Sequence, residues 1–180
     1  NATSDAFLAA LSTHCGKAYA GRIVANEPVA TAGAPPHPFE GKARVMHVRE
    51  CTPGEIRVPF HVGDDRSRTW VITRTDGGLR LKHDHRHEDG TSDVLTMYGG
   101  DTTTPGTATR QEFPADAESK ALFERQGLKA SVANIWAIEI VPGQSYTYEL
   151  ARPGRLFRVE FDLTKPVTPP PPPWGSESRP

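Results

Sequence analysis

Three histidines stand at alternate positions in the segment LRLKHDHRHEDG, residues 79–90: His83, His85 and His87. Alternate residues of a β-strand share one face, so the imidazoles continue the apolar stripe begun by Leu79 and Leu81. Imidazole is the side chain that binds metal or moves protons near neutral pH. Two such groups are about 6.6 Å apart along a strand and can converge on one ion, a divalent transition metal such as zinc or copper. His83 and His87, about 13 Å apart, cannot close a tetrahedral site with His85 between them. A metal reading therefore rests on His83 and His85 with a ligand from another strand. His47 and His61 are candidates, and Asp93 or Glu88 supplies a carboxylate option. The run HDHRHED departs from the HxHxDH pattern of metallo-β-lactamase-like hydrolases, because His87 occupies the Asp place, and HExxH is absent.

Other reaction signatures are missing: the chain has no GxSxG, no P-loop and no GxGxxG. Cys15 follows His14, but neighbours in sequence rarely orient as nucleophile and base. Cys15 and Cys51 are the only cysteines and suit one disulfide, and with it a periplasmic or secreted location. The chain opens at Asn1 rather than Met, which fits a removed signal peptide or a trimmed N-terminus. No enzyme class is indicated, and binding is a better reading than catalysis.

The elements that would position these residues are short. Ser4–His14 reads as an amphipathic helix with Phe7, Leu8 and Leu11 on one face and Ser4 or Asp5 as its cap. Strands are expected at 17–25, 42–51, 55–62, 68–75, 79–87, 92–98 and 107–113. Pro59 marks an edge position or a bulge. A second helix is expected at 115–126, facing Leu122 and Phe123 inward. The clearest strands come last. Trp136, Ile138 and Ile140 share a face, as do Tyr146, Tyr148 and Leu150. Phe157, Val159, Phe161 and Leu163 alternate with Arg158, Glu160 and Asp162.

Turn chemistry proposes a register. Asp76-Gly77 as a two-residue turn sets Arg74 against Leu79, Ile72 against Leu81 and Trp70 against His83. Asp89-Gly90 as a second such turn sets His85 against Val94, His83 against Thr96, Leu81 against Tyr98 and Arg86 against Asp93. In that register Leu95 and Met97 face outward, and a longer turn would reverse them. Lys82, Asp84 and Arg86 are expected to face water.

The whole is 180 residues with a net charge of −1, 36% hydrophobic and 24% charged. That suits one domain, residues 1–165, with a proline-rich tail over 166–180. The tail has a sequence that can bind a partner, but it need not pack and a disordered terminus is the expectation. Interleaved charges argue against a nucleic-acid partner, and no apolar run reaches the roughly 20 residues of an integral membrane helix. The expected fold is all-β: an antiparallel meander closing into a barrel of about eight to ten strands, with one helix at the start and one before the last three strands.

An N-terminal helix, an antiparallel meander and a strand-rich second half resemble the calycin group, the lipocalins and fatty-acid-binding proteins, over residues 15–164. The Gly-x-Trp signature of true lipocalins is absent; the first strand reads GKAYAG, with Tyr19 nearest the place of that aromatic. The resemblance implies a barrel with a small ligand inside. The register predicts a ligand-binding wall of Trp70, Ile72, Leu81, His83, His85, His87, Thr96, Tyr98, Trp136 and Tyr148. The alternatives are a metal carrier or metal-dependent enzyme built on His83, His85 and His87, and a structural or interaction module without a ligand.

Overall fold

A computed structural model describes residues 1–29 and 31–176. Helix α1 (Ala2–Ser12) opens the chain. Asn1 caps it by accepting a hydrogen bond from the Ser4 N–H, so the cap lies three residues before the expected Ser4. The strands are β1 (Ala18–Glu27), β2 (Arg44–His47), β3 (Glu50–Cys51), β4 (Glu55–Val62), β5 (Asp65–Arg74), β6 (Leu79–His85), β7 (Tyr98–Asp101), β8 (Arg110–Pro114), β9 (Ile135–Val141), β10 (Ser145–Arg152) and β11 (Arg155–Val167). Helix α2 (Ala117–Arg125) and a short 3-10 turn (Lys129–Ala133) lie between β8 and β9.

All pairings are antiparallel, in the order β7-β6-β5-β4-β2-β1-β11-β10-β9-β8, with β3 added to β4. The sheet curls into a nearly closed barrel whose two ends are β7 and β8. The N-terminus of α2 zips that seam. The Asp116 N–H donates to the Gly99 carbonyl, and the Gly99 N–H donates to the Ser119 hydroxyl. Gly100 is required here, since a Cβ at that position would lie 1.8 Å from the Pro114 carbonyl oxygen. Pro59 pairs with Thr69 on β5, but no residue of β2 or β3 pairs with it, so its missing donor falls in the break between those strands.

The inward stripes of every long strand fill the barrel with one aromatic and aliphatic core. Phe7, Leu8 and Leu11 of α1 enter that core at the end carrying the Asp76-Gly77 and Pro142-Gly143 turns. The Asn1 side chain donates to the Gly77 carbonyl, and His14 accepts from the Gly143 N–H. Cys15 and Cys51 form a disulfide that ties the end of α1 to β3.

The β5–β6 register is the expected one, with Trp70 opposite His83 and Ile72 opposite Leu81. The next register differs by two residues: His83 meets Tyr98 and Leu81 meets Gly100. Residues 92–97 form an irregular loop instead of a strand. Asp93 accepts from the Leu95 N–H, and Met97 has a φ of 54°. This local turn absorbs two residues and swings Leu95 inward, where it packs on the core. Arg86 pairs with Asp84 rather than Asp93.

The proline-rich segment also differs from expectation. Strand β11 runs on to Val167, and the chain then packs on the outer face of the barrel. The Trp174 N–H donates to the Arg66 carbonyl, Arg66 donates to the Pro172 carbonyl, and Pro173 is buried. Residues 177–180 lie outside the described residues. Among the described residues no helix is long and apolar enough to cross a membrane.

Candidate functional site

Helix α1 plugs one end of the barrel. At the other end the inward stripes stop short of the rim and leave a cavity of about 260 Å³. Its floor is aromatic. Trp70 stacks on Tyr148 with ring centres 4.6 Å apart, and Trp136 packs against His83 at 5.0 Å. These rings come from β5, β9, β10 and β6, so the floor depends on the closed meander rather than on any one hairpin. Leu95, Phe123 and Leu150 add apolar walls.

His83 is held at this floor by both ring nitrogens. Nδ1 lies 2.9 Å from the Tyr98 carbonyl, to which it donates, and Nε2 accepts from the Tyr148 hydroxyl at 2.7 Å. Only a neutral imidazole can donate at one nitrogen and accept at the other. Burial agrees with that assignment and pushes the His83 pKa down to about 4. A metal at His83 would have to displace one of these bonds. His85 lies at the rim, 3.9 Å from an Asp93 carboxylate oxygen, and its backbone N–H donates to the Thr96 hydroxyl oxygen at 2.8 Å.

The site contains six of the ten residues expected in its wall: Trp70, His83, His85, Tyr98, Trp136 and Tyr148. Ile72 and Leu81 lie deeper, in the filled core with no exposed surface. The two-residue register difference carries Thr96 out of the wall, and His87 is exposed beyond the end of β6. His47 sits one residue beyond inward-facing Met46, on the outer face, away from His83 and His85. Among the described residues no group of three His, Cys, Asp or Glu side chains is placed to hold a metal ion.

Asp84 and Lys82 are not open to water as expected. Asp84 is buried beneath the docked tail, where Arg57 reaches it at 2.8 Å and Arg86 at 3.2 Å. Lys82 pairs with Asp116 at 2.7 Å across the β7–β8 seam. His61 lies on the same outer face beside Pro170, Pro171 and Trp174. It is buried with neither ring nitrogen hydrogen-bonded, and burial lowers its pKa to about 4.

The rim holds residues that sequence reasoning missed. Arg68, Arg152 and Arg155 line it together with His37. His37 stacks on Phe157 at 4.4 Å, while Phe39 packs edge-on against Phe60 and Phe157. Burial lowers the His37 pKa, and the nearby Arg155 lowers it further. The two arginines of β10 and β11 had a usable signal. Arg155 shares the parity of Phe157, Val159 and Phe161, and the Pro153-Gly154 turn sets Arg152 opposite it. His37 and Phe39 lie in an aperiodic loop that offers no such signal.

Set against protein-family models, curated proteins and solved structures, the chain matches none of them.

Proposed function

We propose that this protein binds a small, partly apolar ligand in the cavity at the open end of its barrel. The observation that carries the reading is the contrast inside one barrel: a filled core below, and above it a 260 Å³ space with an aromatic floor and a polar rim. Trp70, Tyr98, Trp136 and Tyr148 supply apolar contact, and His83 and His85 supply polar contact. This is the arrangement expected of a calycin-like carrier, and the disulfide fits a periplasmic or secreted setting. The metal reading is weaker, because His83 spends both nitrogens on protein partners.

The test uses the neutral fluorescent probe N-phenyl-1-naphthylamine. Saturable binding with a stoichiometry of one is expected, together with quenching of tryptophan emission. A Leu150→Trp variant, which fills the cavity, should abolish both. Probe uptake that does not saturate, or that survives this substitution in a folded variant, would contradict the reading.

A further inference from the structure

The polar rim is not balanced in charge. Three guanidinium groups and one carboxylate, Asp84, line the cavity, and Asp84 is already held by Arg57 and Arg86. Arg68 has its own partner in Asp65, at 2.9 Å. Arg152 and Arg155 have none: neither makes an ion pair among the described residues. Arg152 donates to the Asn134 side-chain oxygen, and Arg155 donates to the backbone carbonyls of Glu27 and Leu156.

These two arginines are also direct cross-strand partners, the last pair before the β10–β11 turn. Like charges set directly opposite each other destabilise a sheet. The same two strands avoid that cost on their outer face. There Arg158 lies opposite Glu149, and Arg110 and Arg158 share Glu139 and Glu149 in one network. Within β10 and β11, charge is therefore matched on the outer face and left unmatched at the cavity rim. Departures from local consistency of this kind concentrate at functional sites. The repulsion is felt within the pair, since Arg152 lowers the pKa of Arg155 after burial has done so.

We propose that the ligand carries a carboxylate, which seats at the rim against Arg152 and Arg155 while its apolar body lies on the aromatic floor. The proposal rests on the cavity being a ligand site. Guanidinium is suited to it, because its planar donors match the two oxygens of a carboxylate and it stacks on aromatic faces. Arg155 already lies over the Phe157 ring, 5.6 Å from its centre. The carboxylate would supply the missing countercharge to the pair.

The test compares 2-naphthoate with its neutral isostere 2-naphthamide by tryptophan quenching and calorimetry. The naphthoate should bind the native chain roughly tenfold more tightly than the amide, a difference of about 1.4 kcal/mol. An Arg152→Gln/Arg155→Gln variant should lose that preference while still binding the amide as before. Arg22→Gln, on the exposed outer face, should keep it. Equal affinity of the native chain for both compounds, or equal weakening of both in the double variant, would overturn the carboxylate proposal and leave the cavity reading in place. Absence of binding by either compound would overturn the cavity reading, and this proposal with it.

Discussion

The two ends of the barrel are built from the same strands and differ in almost every physical respect. At the closed end α1 brings Phe7, Leu8 and Leu11 into the core, the Asn1 side chain donates to the Gly77 carbonyl, and His14 accepts from the Gly143 N–H. Asp5 pairs with Arg74, and the disulfide anchors the turn that follows the helix. At the open end the core stops at Trp70, Trp136 and Tyr148, and two arginines face each other without a carboxylate. One end is arranged for stability. The other tolerates an opposed pair of like charges, a cost that the proposed ligand would offset.

Substitutions at the two ends should therefore separate stability from binding. The largest effect is expected at the closed end. Phe7→Ala removes a fully buried ring and should cost about 3–5 kcal/mol in urea unfolding, with probe affinity unchanged wherever the variant is folded. Loss of binding in proportion to loss of stability would erase the distinction between the ends.

The next effect is a dependence on pH. His83 has a folded pKa of about 4 against 6.5 in the unfolded chain, so the unfolded chain takes up its proton first as pH falls. Stability should be complete above pH 6.5 and decline towards pH 4, by up to about 1.4 kcal/mol per pH unit for this group. His61 shifts in the same direction and steepens the loss. Urea midpoints at pH 7, 6 and 5 measure it, and a flat profile would mean that His83 is not held neutral at the floor.

The smallest effect belongs to the rim. Arg152→Gln removes one of two opposed charges and no ion pair but gives up the hydrogen bond to Asn134, so its stability should stay within about 1 kcal/mol of the parent. A loss above 2 kcal/mol in thermal unfolding would give Arg152 a structural role.

Much of this arrangement is readable in the residues alone, because tight turns fix register. Asp76-Gly77 places Trp70 beside His83, and the parity of β9 to β11 places Trp136 and Tyr148 inside. The same rule fails after Asp89-Gly90, where it assumes that a strand follows at once. Asp93 instead accepts a backbone bond from Leu95, Met97 adopts a left-handed conformation, and Tyr98 moves opposite His83. Side chains of Asp compete with ladder bonds in this way, and alternation of apolar residues does not reveal it. The tail is opaque for another reason. Its packing depends on single bonds to Arg66 rather than on any periodic pattern, so nothing in PPPPPW distinguishes a docked strap from a free one. The Arg152–Arg155 pair was within reach, since turn and parity together place both at the rim.

The most direct test of the central claim is a map of binding on the two ends. Backbone and indole amide shifts would be recorded by nuclear magnetic resonance as 2-naphthoate is added to the native chain. The account predicts saturable changes gathered at His85, Trp136, Tyr148 and Arg152, with Phe7 and Leu11 unmoved. Changes centred on the α1 end, or on His61 beneath the tail, would contradict it.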